Sequence, residues 1–167
     1  FYERSLAIAE SEGDLLGAVK LLNNIGINLK NLGRLDDSRR VLERALDIGH
    51  DVANGWVAGS LLNNYAETLA RLGDIPAATA AVEGALRESR GASYCLGEVN
   101  ALTTLARLLL QTGAVAPARE RAATALALAN AAQEKSAIVE CLRVLVNCCR
   151  AAGEFETALT HAEAMFA

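Results

Sequence analysis

The sequence contains few aromatic residues, prolines and histidines. Only 4% of its 167 residues are aromatic, and it has two prolines and two histidines. Its hydrophobic content of 52% therefore consists largely of alanine and leucine, which are strong helix formers. Small apolar side chains and few helix-breaking residues predict an all-α chain in which the helices pack closely.

Residues that could form a metal site or a catalytic centre are also scarce. The four cysteines are Cys95, Cys141, Cys148 and Cys149, and no two of them form a CxxC pair. No Ser/His/Asp motif or glycine-rich phosphate loop is present. We therefore expect no catalytic residues, no metal and no cofactor, and we predict that the chain is not an enzyme. We interpret the cysteines as free, buried and unreactive thiols in a reducing compartment.

Charge and hydropathy exclude two further classes of protein. The net charge of −4 argues against general nucleic-acid binding, which favours a strongly basic surface. No uncharged apolar run approaches the roughly 18 residues of a membrane span, and no secretory signal is present. We expect a cytoplasmic protein that binds neither nucleic acid nor membranes directly. Because Phe1 is not a methionine and falls inside a repeat, we expect a fragment of a longer protein.

A repeat of 40 residues organises the chain. Glycine recurs at this spacing at Gly33, Gly73, Gly113 and Gly153. Leucine does so at Leu22, Leu62, Leu102 and Leu142. Small residues recur at Ser38, Ala78, Ala118 and Ala158, and again at Ala45, Ala85 and Ala125. A fixed period of this length predicts stacked helical repeats.

Each copy of the repeat has the pattern of two helices joined by a turn. Apolar residues at helical spacing precede Gly33, which suits the left-handed conformation of a helix C-terminus. Asp36 and Asp37 follow near the start of the second helix, where the helix dipole favours anions. The spacing predicts turns at 31–34, 71–74, 111–114 and 151–154. The first helices are predicted to begin near Leu15, Asn54, Ser93 and Glu134.

This pattern predicts nine helices in a single array. A half repeat at 1–13 precedes four hairpins at about 14–53, 54–92, 93–132 and 133–167.

The pattern resembles the tetratricopeptide repeat (TPR). In the first copy the family positions are occupied by Leu22, Ile25, Gly26, Leu29, Gly33, Ser38, Leu42 and Ala45. The unit is longer than the family's minimal 34 residues, and its closing proline is absent. Forty-residue versions with a doubled asparagine look like those of kinesin light chains and of bacterial multidomain signalling regulators. The resemblance implies a right-handed α-solenoid of antiparallel helix hairpins, a TPR-like superhelix.

The resemblance also implies where a ligand binds. In this family the first helix of each hairpin lines the concave face, and ligands lie along it. By alignment, the peptide-binding residues are Lys20, Asn23, Asn24, Lys30, Asn63, Asn64, Glu67, Arg71, Thr103, Arg107, Arg143, Asn147 and Arg150. Asparagine can pair with a peptide backbone, and arginine can hold a carboxylate in bidentate geometry. The alternative is a solvated face whose asparagines stabilise neighbouring turns.

We predict a protein-binding or peptide-binding TPR scaffold within a larger cytoplasmic regulatory protein, whose ligand is an acidic or C-terminal peptide segment. The alternative is a sensor array that controls an attached output domain, either a DNA-binding transcription regulator or a diguanylate cyclase. The exposed solenoid ends offer a route to self-association. We interpret Trp56 as a packing residue between repeats, with a partner hot spot as the alternative.

The recurring small residues generate a test of the register. We expect Ala85→Leu or Ala125→Leu to lower the free energy of unfolding by about 1–3 kcal/mol, because the added methylene groups would overpack a close helix contact. Thermal melts measure the effect. Unchanged melting curves would mean that these positions are exposed and that the register is wrong.

Overall fold

The computed structural model describes residue 9 and residues 13–166, which form eight α-helices and no strand. The helices are α1 (Leu15–Asn31), α2 (Leu35–Gly49), α3 (Gly55–Leu72), α4 (Ile75–Gly91), α5 (Cys95–Gln111), α6 (Val115–Ala131), α7 (Lys135–Ala151) and α8 (Phe155–Ala164). The predicted half repeat at 1–13, and with it the ninth helix, lies outside the described residues except for Ala9 and Gly13. The all-α prediction is confirmed.

The repeated glycines end the first helix of each hairpin, as predicted. Their φ angles are +76° at Gly33, +88° at Gly73, +79° at Gly113 and +77° at Gly153. Glycine adopts this left-handed conformation without the steric cost that a Cβ atom imposes. The turn that contains each glycine is therefore short, and the two helices that it joins fold back on each other as a hairpin.

The chain forms two compact units, Phe1–Ala92 and Ser93–Ala167. In the first unit, α1 packs against α2, α2 against α3 and α3 against α4, and α1 also contacts α3. In the second unit, α5 packs against α6, α6 against α7 and α7 against α8, and α5 also contacts α7. Each unit therefore brings two first helices side by side.

Small side chains allow the helices of a hairpin to approach closely. Ala45, Ala85 and Ala125 are fully buried. A Cβ atom at Gly26 in α1 would lie only 2.5 Å from Leu42 Cδ2 in α2. The predicted close contacts within the hairpins are therefore present.

A buried hydroxyl pair extends this contact to a third helix. Ser38 Oγ in α2 donates a hydrogen bond of 2.8 Å to the Gly26 carbonyl oxygen in α1. The same hydroxyl lies 3.1 Å from Thr68 Oγ1 in α3. Burial strengthens the requirement that each hydroxyl finds a partner, so the pair holds α1, α2 and α3 in register.

The interpretation of all four cysteines as buried is wrong for Cys95. Cys141, Cys148 and Cys149 are buried, and burial raises the pKa of the Cys141 and Cys148 thiols. Cys95 is exposed and is the first residue of α5.

The connection between α2 and α3 departs from the repeat. It contains five residues, 50–54, whereas the connections after α4 and α6 contain three. The difference arises because α2 is 15 residues long, while α4 and α6 each have 17. The end of α2 is therefore an irregular position within an otherwise periodic chain.

Candidate binding face on the first helices

A pocket of about 250 Å³ lies between α1 and α3 in the first unit. It is lined by Lys20, Asn23, Asn24, Trp56, Val57 and Ser60. The helical spacing of Lys20, Asn23 and Asn24 places them on one side of α1, and Trp56 and Ser60 are one turn apart on α3. The structure thus brings three predicted binding residues together with a tryptophan.

Trp56 forms one wall of this pocket. Its surface is 46% exposed, so it is not a core residue, and its role in packing between repeats stays a prediction. Lys20 Nζ lies 5.8 Å from the centre of the indole ring. This distance is within the range of a cation–π interaction, which holds the ammonium group near the pocket.

A polar network joins α1 to α3 beside the pocket. Lys30 is buried with 6% of its surface exposed, and its ammonium group forms an ion pair with Glu67. The same group donates to Asn64 Oδ1 at 3.3 Å, and Asn64 Nδ2 donates to Asn23 Oδ1 at 3.1 Å. Arg71 Nη1 donates to the Lys30 carbonyl oxygen at 2.5 Å. These contacts explain how a lysine can be buried here, since its charge is paired and hydrogen-bonded.

Asn63 is separate from both the pocket lining and this network. It is buried with 8% of its surface exposed. Among the residues that the structure describes, its Oδ1 atom has no hydrogen-bond partner. Of the two adjacent asparagines in the second copy, Asn64 therefore belongs to the polar network and Asn63 does not.

In the second unit, two predicted residues, Arg107 and Arg143, form an ion cluster with Glu140 on α5 and α7. Arg107 Nη1 donates to Glu140 Oε1 at 3.0 Å, and Arg143 Nη1 lies 3.1 Å from Glu140 Oε2. Arg107 Nη2 also donates to Thr104 Oγ1 at 3.1 Å. One carboxylate thus bridges two guanidinium groups, and the cluster keeps a surplus of positive charge.

The other predicted residues of the second unit do not share one environment. Thr103 is buried, donates to the Val99 carbonyl oxygen at 2.7 Å and lies 3.5 Å from Cys141 Sγ. Asn147 and Arg150 are exposed on α7. Thr103 is therefore part of the packing between α5 and α7, and only the latter two face solvent.

We call the predicted binding positions on the first helices, together with Glu140, the first-helix face, and this face carries excess positive charge in each unit. In the first unit the charged residues are Lys20, Lys30, Arg71 and Glu67. In the second they are Arg107, Arg143, Arg150 and Glu140. Three cations stand against one anion each time, although the whole chain has a net charge of −4.

Alignment could have identified Trp56 as a member of the pocket. It precedes Ser60 by four residues, so it lies on the same side of α3 one turn closer to the helix N-terminus. The predicted row on α3 begins at Asn63, so extending it by two turns toward the helix N-terminus would have included Trp56.

Several solved structures are similar to the whole chain. BtubC (BKLC) from P. vanneervenii is 18% identical with a TM-score of 0.83, over 98% of this chain and 68% of that chain. A putative kinesin light chain with nearly identical TPR-like repeats from Podosopora anserina is 14% identical with a TM-score of 0.73, over 98% and 81%. A tetratricopeptide repeat protein from Parabacteroides merdae is 16% identical with a TM-score of 0.51, over 99% and 78%.

These similarities confirm the predicted TPR-type repeat fold. No protein-family model matches the sequence, and no curated protein matches it. Of the helices that the structure describes, none has both the length and the apolar character needed to cross a membrane.

The buried ion pair generates a prediction about stability. We expect Glu67→Gln to lower the free energy of unfolding by about 1–3 kcal/mol, because it leaves the buried Lys30 without its counter-charge. Urea unfolding measures the change. Glu83→Gln, at an exposed position on α4, is the matched control and should change the value by less than about 0.5 kcal/mol. Equal effects of the two substitutions would contradict a structural role for the pair.

Proposed function

We propose that the chain is a protein-interaction module that binds an extended polypeptide segment along the first-helix face. The observation that carries this proposal is the pocket between α1 and α3, where Lys20 and two asparagines surround the exposed side of Trp56. Tryptophan is enriched among the residues that dominate binding energy at protein interfaces.

The size of the pocket favours a side chain of a polypeptide over a small-molecule ligand. Its volume of about 250 Å³ is below the usual range of roughly 300–1,000 Å³ for small-molecule sites. Asn23 and Asn24 offer amide donors and acceptors that suit a peptide backbone. One side chain would therefore anchor in the pocket while the neighbouring backbone pairs with these amides.

The charge of the face favours an acidic segment. Lys20 stands at the pocket, and both units carry more cations than anions on the first helices. A carboxylate in the pocket would gain a charge-assisted hydrogen bond from Lys20. The proposed ligand is therefore a segment with an aspartate, a glutamate or a C-terminal carboxylate next to the anchor position.

We further propose that the module is non-catalytic and acts inside a larger cytoplasmic regulatory protein. Among the described residues that line the pocket beside Trp56, Lys20 is the one titratable side chain, and no second group stands beside it to form an acid–base pair. Control of an attached DNA-binding or diguanylate cyclase domain stays a prediction, as does self-association through the solenoid ends.

A peptide selection tests the proposed function. We expect a random-peptide library presented to the full chain to yield acidic peptides whose binding shifts the fluorescence of Trp56, the only tryptophan in the chain. Lys20→Met should weaken these peptides by at least about fivefold, because it removes a charge-assisted hydrogen bond and keeps the length of the side chain.

Lys135→Met is the matched control, since it makes the same change at an exposed residue of the second unit. It should leave the affinity unchanged. Peptides without acidic residues, or peptides that bind both variants equally, would contradict the proposal.

A further inference from the structure

The first unit contains a second and larger depression, which shares no lining residue with the pocket beside Trp56. Its volume is about 720 Å³. It is lined by Leu46, Asp47, Gly49, His50, Asp51, Ala53, Ala58, Leu61, Leu62 and Glu88. We call it the α2-end cleft, because six of these ten residues come from the end of α2 and the connection that follows.

The α2-end cleft combines apolar and acidic surface. Leu61 is buried, while Leu46 and Leu62 are half-buried. Asp47, Asp51 and Glu88 are exposed. The lining contains these three carboxylates and no lysine or arginine.

Three connections join one hairpin to the next, and only the connection at the cleft departs from the repeat. The connections after α4 and α6 each contain three residues, and the middle residue has a positive φ, +53° at Ser93 and +55° at Gln133. After α2, the helix stops two residues earlier, and in the longer connection 50–54 the Val52 and Ala53 amides donate to the Gly49 carbonyl oxygen at 3.2 and 2.9 Å. At this place α4 and α6 each have two further helical residues.

The charges at the end of α2 are also unfavourable for a helix C-terminus. A helix C-terminus is stabilised by cations and destabilised by anions. In the following hairpin, the end of α4 contains Glu88 but also two cations, Arg87 and Arg90. The positions 40 residues earlier are Asp47 and His50, and the last turn of α2 contains no basic residue. Asp47 therefore costs α2 stability, and the negative end of the helix adds to the attraction for a cation in the cleft.

We propose that the α2-end cleft binds an arginine or lysine side chain in a basic segment of a partner protein. The alkyl stem would lie on the apolar floor at Leu61 and Leu62, as long cationic side chains do on apolar surfaces. The cationic head would meet the carboxylates of Asp47 and Glu88, which suit an arginine fork or an ammonium group. Asp51 also lines the cleft, but its Oδ1 atom already lies 2.9 Å from His50 Nδ1.

A basic polypeptide fits this cleft better than a metal ion does. Within residue 9 and residues 13–166, no group of three His, Cys, Asp or Glu side chains is arranged to hold a metal. A bare cation would also leave the leucine floor unused. The cleft has room for more than one side chain, so residues next to the anchoring cation would contribute to the contact.

Binding of a simple basic probe to the full chain tests the proposal. The probe is a capped pentapeptide that contains two arginines, and its counterpart contains two glutamates instead. We expect the arginine peptide to shift backbone amide signals in two-dimensional NMR spectra at residues 46–62 and around Glu88. The glutamate peptide should leave these signals unchanged.

Two charge-matched double variants separate the cleft from general attraction to an acidic protein. Asp47→Asn with Glu88→Gln removes two carboxylates of the cleft. Asp36→Asn with Glu83→Gln makes the same changes at exposed residues of the same unit outside it. All four side chains are exposed, so both variants should fold, and retained NMR dispersion verifies this.

We expect the cleft variant to weaken the arginine peptide by at least about fivefold, the value of one exposed ion pair at the upper end of its range. The control should change the affinity by less than about twofold. Equal losses in the two variants, or shifts spread over the surface instead of the cleft, would overturn the proposal. Lys20→Met should leave this binding unchanged, so its outcome is independent of the proposed function.

Discussion

The close approach of the two helices in a hairpin is the constraint on which the other features depend. At Gly26, the backbone of α1 lies so near Leu42 of α2 that a Cβ atom would meet Leu42 Cδ2 at 2.5 Å. This contact exposes the Gly26 carbonyl oxygen to Ser38, which in turn lies 3.1 Å from Thr68 of α3. Because α1 and α3 are held in this register, Lys30 can reach Glu67, and Lys20 can lie over Trp56. The candidate pocket is therefore a consequence of backbone packing as much as of its own residues.

Features set by local backbone demands could be predicted from the sequence, whereas features set by side-chain orientation could not. The turn at Gly33 follows from the need for a positive φ at a helix end, and Ala85 is buried where the period places a small residue. The buried pairing of Lys30 could not be predicted, because alignment assigns a position to a face but does not decide which cation contacts an anion. The cleft could not be predicted either, since α3 begins in register with the 40-residue repeat although α2 ends two residues early.

The first unit presents two surfaces of opposite charge on one small scaffold. The pocket beside Trp56 contains a cation and amides, whereas the α2-end cleft contains three carboxylates over leucines. The repeat supplies similar helices for both, and the differences arise from substitutions at a few positions and from one altered connection. A repeat protein of this kind can therefore acquire separate binding surfaces without a change of fold. In our proposals, an acidic segment and a basic segment would use different sides of the same hairpins.

The stability of Gly26→Ala compared with that of Gly91→Ala tests the central role of the close helix approach. Both glycines are in helices, where alanine is favoured by up to about 1 kcal/mol, but a Cβ atom at Gly91 meets no neighbouring atom within 4 Å. We expect urea unfolding to show that Gly26→Ala lowers the free energy of unfolding by about 1–3 kcal/mol through overpacking against Leu42. Gly91→Ala should leave it unchanged or raise it. A Gly26→Ala variant as stable as Gly91→Ala would contradict the account.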